Sequence, residues 1–289
     1  MLDKITVDEN HFQSAVLLRE SLFLNGILTN AEIWYGIKST DLKPLMDLDR
    51  FLIRKILNTP ISTPVESLYL ELGLLDIETI LKARRINYLF YLLHKKPSDM
   101  LYRFFIAQWK YPAKQDWAEL VKQDLEDFGL STNLDLIKSK SVYSFKKLVM
   151  KKAKQYAFEK FLKMKASHSK IKDLHYEELQ MQHYLKSKDL TVEEARTIFW
   201  FRTRMAQFRD NFRNNSDCNL CPLCKNHIDS QNLAFKCPVI LENIEIFGTL
   251  EDIFDKNISK KLAETLISIL NLRQTFQNAS WRPLVHSYV

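Results

Sequence analysis

The 289-residue chain has few of the residues that end helices or form tight turns, with only 5 glycines and 8 prolines. This scarcity argues against collagen-like repeats, glycine-rich linkers and low-complexity disorder. The longest apolar runs, such as residues 88–93, reach about a third of the ~20 residues that a membrane-spanning helix needs, so no membrane partner is expected. The composition instead favours a chain of long helices.

Signals for β-strands are also essentially missing, because few alternating apolar and polar runs are bounded by Asn-Gly or Asp-Gly turns. Apolar residues recur instead at helical spacing. Helices are predicted near residues 10–26, 40–59, 65–73, 76–95, 141–166 and 259–277, with two more within 97–129. A further helix begins at the capping box Thr191–Glu194 and is expected to run to about Arg213. The predicted fold class is all-α, with a small metal-stabilised insert near the C-terminus.

The four cysteines all lie between residues 218 and 237. The first ten residues lack the basic start and apolar run of a secretory signal, so we expect an intracellular protein, nuclear or cytoplasmic. In a reducing compartment, clustered cysteines favour metal ligation over disulfide pairing. The turn from Cys221 to Cys224 can present two thiolates to a tetrahedral ion, and Cys237 can supply a third.

The fourth ligand of such a site stays open between His227 and Cys218, since Asn232 is a poor zinc ligand. Zinc is the predicted metal. A degenerate site that no longer binds metal and an iron–sulfur centre are the alternatives.

Positive charge is concentrated in one segment. The net charge is +7, yet residues 138–172 contain twelve lysines and one acidic residue, Glu159, so this segment carries +11 and the rest of the chain −4. A local cationic helix face is typical of proteins that bind a phosphate backbone. A solvated lysine face without a partner is the alternative, but such helices usually gain Glu–Lys pairs, and this one has almost none.

The helix predicted to reach Arg213 carries a second basic face. Its apolar residues share one side and predict a core stripe, with base stacking as the alternative role: Phe201, Met205, Phe208 and Phe212. Its arginines share a neighbouring side and are predicted to contact phosphates: Arg202, Arg209 and Arg213.

Several stretches together resemble the C-terminal part of the endonuclease/reverse transcriptase of non-LTR (LINE-type) retrotransposons. They occur in the family's order and span most of the chain: NGILTNAEIWYG (25–36), residues 49–50, 54–58 and 62–64, LYLELG (68–73), KARRINYL (82–89), FFIAQW (104–109) and the cysteine segment 218–238. The family ends in a CCHC zinc knuckle, to which Cys221, Cys224 and Cys237 correspond. Asn232 stands where the family has His, so the knuckle is expected to be degenerate unless His227 or Cys218 replaces that ligand.

A second departure concerns catalysis. Reverse transcriptases hold metal ions on paired palm aspartates, and no Asp-Asp pair occurs in this sequence. The resemblance therefore implies a chain without polymerase chemistry of its own, which acts with the fingers and palm of a longer polypeptide. It implies thumb-like helices in 1–60, a helical linker region with the basic helix in 61–214, the degenerate zinc knuckle in 215–240 and a helical tail in 241–289.

The expected function is to grip RNA, an RNA–DNA hybrid or target DNA with little base specificity. The predicted phosphate contacts are basic residues of three regions: Lys146, Lys147, Lys151, Lys154, Lys165, Arg84, Arg85, Arg202, Arg209 and Arg213. Neutralising six phosphates would give log K against log salt a slope of about −4 to −5. A protein-interaction scaffold, or an inactive fragment of an element, is the alternative function.

Overall fold

The computed structural model describes residues 11–111, 113, 116–172, 174–212, 219–255 and 258–276. In these ranges the regular structure is helical, with two isolated β-bridges and no strand. This confirms the predicted all-α fold. None of the helices in the described ranges is long and apolar enough to cross a membrane.

The first helix, α1 (His11–Leu18), continues through a π-helical segment, Arg19–Leu24, into α2 (Asn25–Ile27). Short 3-10 turns occur at Ala31–Ile33, Arg209–Phe212 and Glu251–Phe254. In chain order the α-helices are α1 His11–Leu18, α2 Asn25–Ile27, α3 Ser39–Leu57, α4 Val65–Leu72, α5 Ile77–Leu93, α6 Met100–Lys110, α7 Trp117–Asp127, α8 Leu134–Lys138, α9 Val142–Ala166, α10 His183–Lys186, α11 Val192–Arg202, α12 Gln231–Ala234, α13 Pro238–Asn243 and α14 Lys260–Phe276.

The chain divides into two compact units built from non-contiguous segments. Unit 1 contains residues 11–17, 51–72 and 164–276 among those described, and unit 2 contains residues 18–50 and 73–163. The four segments predicted from the sequence, with boundaries after residues 60, 214 and 240, stay a prediction.

The main core of unit 2 forms where α5, α7 and α9 contribute apolar side chains. Phe90 of α5 stacks on Phe145 of α9, with ring centroids 4.5 Å apart. Arg85 and Asp124 lie beside this core and form a buried pair, in which Arg85 Nε donates to Asp124 Oδ2 at 2.6 Å. Because burial of a charge is costly unless it is paired, this contact determines the register between α5 and α7.

Unit 1 is organised around the carboxylate of Glu71, which has no exposed surface. Its Oε1 accepts hydrogen bonds from Tyr176 at 2.8 Å and from Arg202 Nε at 3.0 Å, and its Oε2 accepts from Tyr184 at 2.8 Å. Arg202 also donates to the carbonyl of Ile253 at 2.9 Å. These contacts join α4, α11, the segment around residues 176–184 and the 3-10 turn Glu251–Phe254.

The electrostatics of this cluster are mutually reinforcing. Burial, together with the adjacent charge of Glu71, raises the pKa of Tyr176 and of Tyr184 well above the ordinary value, so both hydroxyls stay protonated and keep donating. Burial opposes the charge on Arg202, but Glu71 outweighs it and raises the pKa of the guanidinium.

The helix predicted to run from Thr191 to Arg213 ends earlier than expected. Its capping box at Thr191 and Glu194 is confirmed, but α11 stops at Arg202. Arg204 adopts a left-handed φ of 54°, the Arg204 N–H donates to Phe201 O and the Met205 N–H donates to Trp200 O. These two bonds form a Schellman motif, which terminates a helix.

This early end corrects the predicted arginine face, since Arg202 and Arg209 do not share one helix. In the apolar stripe, three residues are buried, as a core position requires: Phe201, Met205 and Phe208.

We predict that Glu71→Gln destabilises unit 1, because Arg202 then stays buried without a counter-ion. The free energy of unfolding is expected to fall by roughly 3–5 kcal/mol. Urea denaturation measures the loss, and hydrogen exchange in α4 and α11 locates it. Glu245→Gln, an exposed change in the loop after α13, is the matched control and should shift stability by no more than about 0.5 kcal/mol. Equal losses in the two variants would contradict this role of Glu71.

Candidate metal centre and basic helix

Three cysteines come together in unit 1 because a tight turn and a helix start face each other. The turn closes where the Cys221 N–H donates to His227 O at 2.7 Å and the Lys225 N–H donates to Cys221 O at 2.9 Å, with Lys225 in the left-handed region at φ 55°. Cys237 lies at the N-cap of α13. Cys221 and Cys237 are buried, and Cys224 is half-buried.

The sulfur positions fit a metal ion. The Sγ atoms of Cys221, Cys224 and Cys237 lie within 4.8 Å of one another. A tetrahedral zinc with bonds of about 2.3 Å separates neighbouring sulfurs by about 3.8 Å, so small side-chain rotations would place all three at ligand distance. The sequence prediction that these three residues converge is therefore met.

His227 lies next to this triad. Its Nδ1 is 3.8 Å from Cys224 Sγ, close to the roughly 3.6 Å between nitrogen and sulfur ligands of one tetrahedral zinc. Asn232, at the position of the family's His, is exposed on α12. Cys218, the alternate ligand, lies outside the described residues. Of the two predicted candidates, His227 lies in the described ranges and approaches Cys224 Sγ, while the group of ligand atoms within 4.8 Å of one another there contains only the three sulfurs.

The thiols of the triad differ in acidity. Burial opposes ionisation of Cys224, but hydrogen bonds from the backbone of Asn226 and from His227 outweigh it and lower the pKa of this thiol to about 6. Burial raises the pKa of Cys237 to about 11. Because a metal binds the thiolate form, these shifts favour Cys224 over Cys237 as the thiol that ionises first.

A buried ion pair holds the cysteine turn in unit 1. Arg273 of α14 donates to Asp229 through Nη1 at 2.7 Å and Nη2 at 2.8 Å, and its Nη2 also reaches the carbonyl of Gln207 at 3.0 Å. The guanidinium lies over the ring of Phe208, 4.3 Å from its centroid. Asp229 also accepts from the backbone N–H of Arg209 at 2.9 Å. Sequence reasoning missed this pair, since no local pattern links positions 229 and 273.

The basic helix α9 has a buried row and an opposite exposed row, each with a spacing of four residues. The buried row is Phe145, Val149, Ala153, Ala157 and Phe161. The row displaced by two residues, and so by about 200° around the helix, is exposed throughout: Lys147, Lys151, Gln155, Glu159 and Lys163. The spacing of the apolar residues thus turns this row of α9 outward.

Four of the predicted phosphate contacts are exposed on α9: Lys146, Lys147, Lys151 and Lys154. Among the described residues, no carboxylate lies within 4.0 Å of their ammonium groups. Lys160 differs, because it pairs with Asp76 at 2.9 Å and with Glu78 at 2.7 Å. The free cationic surface is therefore smaller than the lysine count of the segment implies.

Three predicted phosphate contacts are corrected, because their charges are buried and engaged. Arg85 pairs with Asp124, and Arg202 pairs with Glu71. Lys165 is 8% exposed and donates to the carbonyls of Lys172 and Leu174. A phosphate could reach these groups only if the interior opened.

Two of the three remaining predicted arginines are also used within the fold. Arg84 is half-buried and donates to Leu28 O and to Asn25 Oδ1. Arg209 donates through Nη1 to Leu220 O at 3.1 Å, which ties it to the cysteine turn. Arg213 lies outside the described residues. The exposed surface of α9 is thus the basic site that the described structure assembles.

Comparison of the chain with protein-family models, with curated proteins and with solved structures finds no match. The candidate functions therefore depend on the geometry of the cysteine triad and of α9, together with the sequence resemblance.

We predict that Asp229→Asn loosens the cysteine turn, because Arg273 keeps its buried charge but loses its counter-ion. The expected loss of stability is roughly 3–5 kcal/mol, with faster hydrogen exchange across residues 219–237. Asp255→Asn, at an exposed position of the same unit, is the matched control. Unchanged exchange in the turn of the Asp229 variant would show that another contact holds it.

Proposed function

We propose that the exposed surface of α9 binds the phosphate backbone of a nucleic acid. The observation that carries the proposal is the set of four exposed lysines without carboxylate partners in the described chain: Lys146, Lys147, Lys151 and Lys154. A phosphate strand gives such lysines counter-charges and releases its own condensed cations, which favours association.

The chemistry of this surface favours binding with little base specificity. A lysine ammonium contacts phosphate as a point charge, whereas sequence is read mainly by groups that reach base edges in a groove. Four neutralised phosphates give a slope of log K against log salt of about −2.8 for a single strand and about −3.6 for a duplex. This is shallower than the slope expected from six contacts, since Lys165 and the four described arginines of the predicted set are engaged in the fold: Arg84, Arg85, Arg202 and Arg209.

The sequence resemblance supports a more specific proposal for the biological setting. On this proposal the chain is the nucleic-acid-binding C-terminal portion of a LINE-type reverse transcriptase, which grips RNA, an RNA–DNA hybrid or target DNA inside the cell. Catalysis would come from a palm elsewhere in a longer polypeptide, since the chain contains no Asp-Asp pair.

We further propose that the cysteine triad binds zinc as a structural ion. Cys221, Cys224 and Cys237 would supply three ligands and His227 the fourth, giving a closed tetrahedral site. Zinc bound there would crosslink the turn to the start of α13. Since a structural zinc in a small finger contributes apparent free energies of about 10–16 kcal/mol, the ion would stabilise residues that have little apolar core of their own.

We predict that reversing the charge of three α9 lysines, with Lys147→Glu, Lys151→Glu and Lys154→Glu combined, weakens binding to all nucleic-acid sequences alike. Fluorescence anisotropy at several salt concentrations measures the affinity and its salt slope. The control combines Lys43→Glu, Lys96→Glu and Lys188→Glu, which are exposed and change the net charge equally. A slope near zero for the unmodified protein, or equal weakening by both variants, would falsify the α9 proposal and favour a protein-interaction scaffold.

We predict one zinc ion per chain by native mass spectrometry and its loss in Cys237→Ser. His227→Ala and Cys218→Ser form a matched pair that identifies the fourth ligand, with weaker zinc binding expected only in the histidine variant. Retention of zinc by Cys237→Ser would exclude the triad as the site.

A further inference from the structure

The exposed surface of α9 also carries apolar side chains in line with its lysines. Tyr143, Lys147, Met150 and Lys154 follow one another at intervals of four, three and four residues, which places them within about 60° around the helix. Tyr143 is 77% exposed and Met150 is 46% exposed. One stripe of α9 thus alternates apolar and cationic groups. We call these four residues the Tyr–Lys stripe.

Tyr143 has no role in the packing of unit 2. Two residues further on, Phe145 is buried and stacks on Phe90. Among the described residues, no aromatic ring or cation contacts the Tyr143 ring, and its hydroxyl has no hydrogen-bond partner. The ring is therefore largely accessible to a ligand, one helical turn from the exposed Lys147.

We propose that the Tyr–Lys stripe binds nucleic acid with unpaired bases, so that Tyr143 stacks on a base while the lysines contact the backbone. This inference rests on the proposed function of α9 and names its substrate class. In a duplex the base faces are stacked on one another and only edges and phosphates are accessible. In a single strand they are open, and an exposed aromatic ring beside cations is the arrangement that stacks them without regard to sequence.

The charge of the stripe argues for this partner. Lys146 and Lys151 flank the stripe on either side, so a strand that lies along the stripe meets positive charge on both sides. A nucleic-acid strand combines a π-face and negative charge within each nucleotide, and therefore complements both components of the stripe. A membrane surface would need a continuous apolar face, whereas the two apolar residues here are separated by a lysine.

The test compares a single-stranded oligonucleotide of about 12 nucleotides with a duplex of equal length, using the full chain and fluorescence anisotropy. We expect Tyr143→Ala to weaken single-strand binding by roughly 5- to 100-fold and duplex binding by less than about twofold. Tyr143→Phe keeps the ring and should restore the affinity. Tyr111→Ala is the matched control. Tyr111 belongs to the same unit, directly follows α6 and is 82% exposed.

A second readout detects stacking directly. A strand that carries 2-aminopurine should lose fluorescence on binding the unmodified protein and Tyr143→Phe, but not Tyr143→Ala. Equal weakening of single strand and duplex by Tyr143→Ala, or no weakening of either, would overturn the inference. If the triple lysine variant still abolishes binding in that case, the proposed function of α9 stands. If the lysine variant has no effect either, or if the stripe binds only vesicles of anionic lipid, both proposals fail.

Discussion

The carboxylate of Glu71 is the constraint on which unit 1 depends. It lies fully inside the protein, where an ionised group is tolerated only with charged and hydrogen-bonding partners. Those partners are Tyr176, Tyr184 and Arg202, which lie more than a hundred residues later in the chain. Burial of the Glu71 charge therefore requires α11 and the segment between residues 176 and 184 to be in place, which couples α4 to these later parts of unit 1.

The same rule divides the basic residues into two classes. Arg85, Arg202 and Arg273 have carboxylates within hydrogen-bond distance and occupy the interior, where they determine how helices align. Four lysines of α9 have no such partners among the described residues and remain exposed: Lys146, Lys147, Lys151 and Lys154. A basic residue is available to a phosphate only if the fold has not already used its charge. This is why the proposed interface is restricted to one helix.

The cysteine triad shows how local and tertiary constraints combine. The Cys-Pro-Leu-Cys turn brings Cys221 and Cys224 together through short-range backbone bonds, so their pairing follows from spacing alone. The return of Cys237 needs α12 and the start of α13, and the attachment of the turn needs Asp229 and Arg273. Local sequence thus predicts the three cysteine ligands, but the turn that carries two of them is attached by the Asp229–Arg273 ion pair, which forms only in the folded unit.

The sequence by itself determined the helical class, the capping box at Thr191, the long helix near residues 141–166 and the clustering of the cysteines, because each follows from spacing between near neighbours. It did not determine where α11 ends, since the left-handed turn at Arg204 occurs within an unbroken helical period. Nor did it distinguish a structural arginine from a free one. Arg202 and Lys147 are both cations on helices, and only the position of a distant carboxylate decides that the first is buried and the second is exposed, because the free energy of burying a charge depends on its partner.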